Sequence, residues 1–150
     1  RGLGIAAAVY KEQTPVAIVA EVHIDRDAEE IRTTRIWCAH DCGRIINPDQ
    51  VRNLIEGNIV WGCGLALKEQ ITIEEGAIAE QNFHLYEPLR NADAPEVEIA
   101  LIEPPGAPPV GVGESAFPPV APAIANAVFA ATATRLRRLP MSFDDLSNRN

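Results

Sequence analysis

Cysteine is scarce in this sequence. Cys38, Cys42 and Cys63 are the only three, and no two of them stand in C-x-x-C spacing. An odd count without that spacing excludes a disulfide framework. It is also one thiolate short of the usual ligand set of an iron–sulfur cluster. The run 38-CAHDC-42 therefore reads as a strand end carrying small buried thiols, not as a Cys/His metal cluster. His23, His40 and His84 are scattered and read as structural or exposed, so no metal-ligating residue is assigned. Basic residues are also few: 13 Lys and Arg against 21 Asp and Glu leave a net charge of −8. That argues against nucleic acid or an anionic membrane as the main partner. No apolar run approaches the length of a membrane-spanning helix. The chain has no initiator Met and no succession of charged, apolar and cleavage regions, so no targeting segment is read. It opens directly into an apolar strand-like run, RGLGIAAAVY, which suggests a piece of a longer protein. Neither cytoplasm nor periplasm is favoured.

What is present suits a globular fold. The 150 residues are 47% hydrophobic, enough for one domain, 1–150, with a sizeable core. No internal repeat and no linker divides it. Residues 3–10 look like a buried strand. Residues 16–25 put Val16, Ile18, Ala20, Val22 and Ile24 on one face by period two, and 31–40 read as a third strand. Short polar links between them predict an antiparallel meander. Asn47, Pro48 and Gln50 have the form of a helix start, as N-cap, first helical residue and capping-box partner. From there Val51, Leu54, Ile55, Asn58, Ile59, Gly62 and Leu65 recur at helical spacing. Gly57, Gly62 and Gly64 lower helix propensity, so they point to close approach of a neighbouring backbone or a ligand. A hairpin is predicted at 71–79 around Gly76, a strand at 97–103, and a second helix over 121–140. That helix starts near Pro122, carries Ile124, Val128 and Ala131 as its stripe and Arg135, Arg137 and Arg138 near its end, and stops at Pro140. The class is α+β, mostly antiparallel strands with two long helices.

The segment joining the last strand to the second helix is 104-PPGAPPVGVGESAFPP-119. Its 111-GVGESA-116 formally matches G-x-G-x-x-A, but the dinucleotide fingerprint needs a strand running into the turn and a helix opening within it. Prolines 104, 105, 108 and 109 precede this loop and prolines 118 and 119 follow it, which rejects that reading. No GK[ST] is present, so it is no P-loop either. What remains is physical. Gly111 and Gly113 let the backbone pass close to something bulky and offer amides to an anion or a polar cofactor atom. Glu114 follows at once, a candidate general base if a cofactor lies near. A solvated glutamate capping a nearby helix is the plainer alternative.

The run 111-GVGESAFPPVAPAIANAVFAATATRLRRLP-140 resembles the C-terminal signature of the molybdenum hydroxylases, the xanthine oxidase and aldehyde oxidase family. It looks most like the molybdopterin-binding large subunit of the isoquinoline 1-oxidoreductase type. A second block, 41-DCGRIINPDQVRNLIEGNIVWGCGLAL-67, is similar to the family's D-x-G-x-x-x-N-P stretch and glycine-rich helix. The likeness covers residues 1 to about 146. It implies that 1–150 is the C-terminal part of a molybdopterin-binding domain, holding molybdenum–molybdopterin with or without an added nucleotide. It implies that Glu114 is the general base in hydroxylation of an aldehyde or N-heteroaromatic carbon with water-derived oxygen. Gly111, Val112, Gly113 and Ser115 of the loop and Leu54 and Gly57 of the first helix are the implied cofactor contacts. The implied partners are the rest of its own large subunit, a small subunit carrying the iron–sulfur clusters, and a small-molecule substrate. Two positions depart from the pattern. The family commonly has glutamine where this chain has Leu54, which cannot make that side chain's hydrogen bond, and glycine where it has Ala133. Both bear on cofactor affinity, not on fold or on Glu114. A second expectation is that the isolated fragment lacks the cofactor and is a non-catalytic cofactor- or subunit-binding module. A small unrelated enzyme pairing Glu114 with His84 or Asp93 has no supporting spacing.

Overall fold

The computed structural model describes residues 1–147. Alternation builds the sheet. β1 (Gly2–Tyr10), β2 (Thr14–Asp25) and β3 (Glu30–Asp41) form the predicted antiparallel meander. On β2, Val16, Ile18, Ala20 and Val22 are buried on one face, and a bulge at Glu21/Val22 resets the pairing with β3. From β3, Ile36, Cys38 and His40 point into the same core. After α1 (Pro48–Leu67) comes a small hairpin, β4 (Ile73–Glu74) with β5 (Ala77–Ile78). A 3-10 turn at Asn91–Asp93 then leads to β6 (Glu96–Ile102). β6 pairs parallel with β3, giving the sheet order β1-β2-β3-β6. α2 (Val120–Thr132) and a single turn, α3 (Asp144–Ser147), complete the chain. The result is α+β, with a mostly antiparallel sheet and two long helices.

Both long helices lie on one face of the sheet. Ile55 and Ile59 of α1 and Val120, Ala123, Ile124, Ala127 and Val128 of α2 are fully buried there. Asn47 caps α1 as predicted, its Oδ1 accepting from the Gln50 amide at 3.1 Å. Gly62 lets α1 meet α2: a Cβ there would lie 2.6 Å from the Val120 Cβ. On β1 the small residues face α2. A Cβ at Gly4 would fall 2.1 Å from the Ala127 amide nitrogen and 2.3 Å from the Ala123 oxygen. The large residues of β1, Leu3, Ile5 and Val9, point away from the helices and are exposed. No helix among the described residues is long and apolar enough to cross a membrane.

The second helix is shorter than its composition predicts. It ends at Thr132, not near Pro140, because Ala133 turns left-handed at φ 57°. The Ala133 amide still closes on the Phe129 oxygen at 2.7 Å, and Thr132 Oγ1 accepts from the Thr134 amide, which finishes the turn. Arg135, Arg137 and Arg138 therefore lie beyond the helix. The Arg135 guanidinium instead covers the Phe129 ring at 3.7 Å and donates to Asn126 Oδ1. The alanine in place of glycine is thus a matter of helix termination. A left-handed non-glycine residue carries about 1 kcal/mol of strain. Ala133→Gly should raise stability by about that amount, read as a higher urea midpoint. An unchanged midpoint would mean that Ala133 is not held left-handed in solution.

Candidate functional site

The loop between β6 and α2 is held from three sides. Its first half is stapled to the end of β3: the Val110 amide donates to the Cys42 oxygen at 3.0 Å and the Arg44 amide to the Pro108 oxygen at 3.4 Å. Gly43, at φ 66°, makes that approach possible, since a Cβ there would lie 2.0 Å from the Pro108 oxygen. The two sequence blocks that resemble the same family, 41–67 and 111–140, meet at the next anchor, between Asn58 and Gly113. The second half is anchored by side chains. Asn58 Nδ2, on α1, donates to the Gly113 oxygen at 2.9 Å and to the Leu54 oxygen at 2.8 Å. Ser115 Oγ and His40 Nε2 lie 2.7 Å apart, both fully buried. Thr14 Oγ1 reaches the Gly111 oxygen at 3.5 Å, a weak contact. The Phe117 ring stacks on Trp61 of α1 at 3.9 Å before the chain enters α2.

These anchors take the loop's carbonyls and the serine hydroxyl but leave its amides alone. Among the described residues, no protein acceptor receives the amides of Gly111, Val112, Gly113, Glu114 or Ser115. Gly111 and Gly113 are exposed, and an added Cβ at either would meet nothing within 4 Å. Glu114 is exposed beside them and accepts a hydrogen bond from the Tyr10 hydroxyl. A cleft of about 220 Å³ opens here between the β1–β2 turn and the loop. Tyr10, Gln13, Thr14, Gly111, Gly113 and Glu114 are among the residues that line it.

Electrostatics separate the quiet groups from the available ones. Burial pushes the Cys38 and Cys63 thiols up to about 12, so both are inert packing groups. Burial also holds the His40 imidazole below its ordinary range, partly offset by Asp41, so it stays neutral at pH 7 as a prop for Ser115. The Tyr10 phenol is raised above its ordinary range, first by the hydrogen bond it gives Glu114.

The residues named from sequence divide accordingly. Glu114, Gly111 and Gly113 sit together at the cleft. Val112 is half-buried against the core, and Ser115 turns its hydroxyl inward to His40, leaving only its amide for a ligand. Leu54 is half-buried and Gly57 exposed on α1, and neither lines the cleft. His84 and Asp93 do not reach it either; Asp93 lies 3.7 Å from the Lys68 ammonium.

Residues 4–95 match the molybdopterin cofactor-binding domain. The chain is 38% identical over 149 residues to a nicotinate dehydrogenase chain of Pseudomonas putida, covering 95% of this chain and 13% of that protein. It is 37% identical over 139 residues to the beta chain of isoquinoline 1-oxidoreductase of Brevundimonas diminuta, covering 93% of this chain and 18% of that one. The chain belongs to the molybdopterin-binding subunits of the xanthine oxidase family. Its fold superposes on quinoline 2-oxidoreductase from Pseudomonas putida 86 with a TM-score of 0.82 and 26% identity, over 91% of this chain and 19% of that one. The chain spans only 13% to 20% of the length of the curated relatives it matches.

The donor set fits the family's cofactor. A run of unpaired amides beside two uncrowded glycines suits the oxygens of a pterin or its phosphate. Two buried polar atoms behind the loop, Asn58 Oδ1 and His40 Nδ1, have no partner among the described residues, though neither residue lines the cleft.

Sequence reasoning missed four of the site's supports, Tyr10, Thr14, His40 and Asn58. Asn58 carried a signal, a polar residue inside the apolar stripe of α1. His40 carried one as well, on the buried register of β3 after Ile36 and Cys38. Tyr10 carried none, since only the β1–β2 pairing brings it to the loop.

Proposed function

We propose that this chain is part of a molybdenum-dependent hydroxylase that oxidises an aldehyde or N-heteroaromatic carbon with oxygen from water. The observation that carries the reading is a carboxylate at the open end of a loop with unpaired amides, in a family of molybdopterin-binding subunits. Nicotinate, isoquinoline and quinoline appear in the names of similar proteins, which favours a planar electron-poor substrate. When bound, molybdenum–molybdopterin supplies the two-electron redox chemistry.

In this reading Gly111, Val112, Gly113 and Ser115 give the cofactor their amides, and Gly57 and Leu54, which lie outside the cleft on α1, meet only the part of it that extends beyond the loop. Glu114 acts as the general base. One of its carboxylate oxygens takes the proton from the water-derived oxygen as that oxygen bonds to the substrate carbon. The substrate C–H bond breaks; its electron pair would be taken up by the bound cofactor and passed to iron–sulfur clusters on another subunit, and its hydrogen would leave to solvent as a proton. Prolines on both sides of the loop, with the Asn58 and Ser115 anchors, hold Glu114 in place during the proton transfer.

A second reading applies to the chain on its own, as a non-catalytic module that binds cofactor or a neighbouring part of the enzyme. The sheet face opposite the helices favours it. Leu3, Ile5 and Val9 are exposed there, and a hollow of about 410 Å³ opens over Ala7, Ala17, Ala39 and Ile102. An apolar face of this kind suits cover by the rest of the large subunit.

The test is turnover of the complete enzyme in isotopically labelled water with an aldehyde and an N-heteroaromatic substrate. With the enzyme first equilibrated in that water, the label is expected on the oxidised carbon of the N-heteroaromatic product. Product without label, or no oxidation by an enzyme loaded with molybdenum, would sink the hydroxylase reading.

A further inference from the structure

The cleft has a second wall, contributed by the β1–β2 turn. Tyr10 is the last residue of β1 and pairs with Thr14, the first of β2. Between them Lys11 and Glu12 take positive φ values of 48° and 61°, and the Gln13 amide closes the turn on the Tyr10 oxygen at 3.1 Å. Thr14 is buried and touches the Gly111 oxygen. One end of this tight turn therefore meets the glycine loop at Gly111, while the other end presents the Tyr10 hydroxyl to Glu114.

The contact is selective within the carboxylate. Tyr10 donates to Oε1, and among the described residues no protein donor reaches Oε2. A carboxylate on an exposed loop otherwise rotates freely about its last torsion. A single donor fixed on a hairpin removes that freedom and assigns different tasks to the two oxygens. We propose that Tyr10 is a positioning residue for Glu114, engaging Oε1 so that Oε2 is the oxygen left to accept the proton. This rests on the reading of Glu114 as general base. The hydrogen bond to Glu114 holds the phenol above its ordinary range against the opposing Lys11 ammonium, so Tyr10 keeps the proton it donates at neutral pH, and the contact is lost only as pH rises through the raised value.

The test uses the complete enzyme with its cofactor. Tyr10→Phe should lower kcat by about tenfold with KM and molybdenum content unchanged, since the loop anchors remain and only the carboxylate's orientation is freed. A readout independent of turnover comes from fluorotyrosine NMR on the cofactor-free enzyme, with Tyr10→Phe identifying the resonance. Fluorotyrosine at position 10 should titrate above free fluorotyrosine and move down toward it in Glu114→Ala, which removes the acceptor. A Tyr10 titration unmoved by Glu114→Ala would show that the contact is absent and overturn the proposal. Loss of molybdenum from Tyr10→Phe would overturn it in favour of a merely structural role. Full turnover of Tyr10→Phe beside an inactive Glu114→Gln would overturn this proposal alone. Full turnover of Glu114→Gln would overturn the base reading and this proposal together.

Discussion

Glu114→Gln in the complete enzyme should lower kcat by on the order of a thousandfold while leaving molybdenum content and KM unchanged. The magnitude is that of removing a positioned general base. Glutamine preserves the side chain's size, and its amide oxygen can still accept from Tyr10, so the cleft keeps its shape. What is lost is the ability to take a proton. The loop itself has no reason to move, because Asn58, Ser115 and the Val110–Cys42 contact hold it and none of them uses the Glu114 carboxylate. Steady-state kinetics paired with elemental analysis separate the outcomes. A kcat within about threefold of the unaltered enzyme would remove Glu114 from the chemistry. A loss of metal together with activity would make it a cofactor contact instead.

The second large effect is on the scaffold. Gly4→Ala should destabilise the chain by about 3 kcal/mol. The added methyl group would meet backbone, not side chain: the Ala127 nitrogen at 2.1 Å and the Ala123 oxygen at 2.3 Å. Backbone of a helix cannot turn aside, so α2 must lift off β1. Asn126, which donates to the Ile5 oxygen at 2.9 Å, would be pulled away with it. Because α2 follows the glycine loop with Pro119 as its N-cap, the displacement reaches the candidate site as well. Gly57→Ala provides the internal contrast. Nothing lies within 4 Å of a Cβ there, and the position is helical, so alanine should stabilise by up to about 1 kcal/mol. Urea midpoints for the two variants should move in opposite directions. Equal midpoints would mean that α2 does not rest on the glycine face of β1.

Much of the fold follows from patterns that are local in sequence. The alternation from Val16 to Val22 predicts the buried face of β2, and Asn47-Pro48 predicts the start of α1, because both depend on near neighbours. The end of α2 was not legible in that way. Residues 133–140 contain no glycine, and the arginines suit a helix end, yet one left-handed alanine stops the helix earlier. That is a tertiary decision: Leu136 and Met141 turn back to be buried, and the Met141 amide donates to the Ala66 oxygen of α1 at 2.8 Å. The site divides along the same line. Gly111, Gly113 and Glu114 are adjacent in the chain and announce themselves by composition. Tyr10, Thr14, His40 and Asn58 arrive from β1, β2, β3 and α1, and no spacing rule links them to residue 114. The role of Ser115 also depended on structure, since its hydroxyl faces the core and not the cleft.

The two tryptophans fall on different surfaces of this molecule. Trp37 lies on the uncovered side of the sheet, beside the hollow lined by Val19 and Ala100. Trp61 lies against Phe117, within the anchoring of the glycine loop. Each surface thus carries its own intrinsic fluorophore. Docking of another part of the enzyme on the sheet and seating of a cofactor at the loop are optically separable events, and replacing either tryptophan by phenylalanine leaves the other as a reporter for one of them.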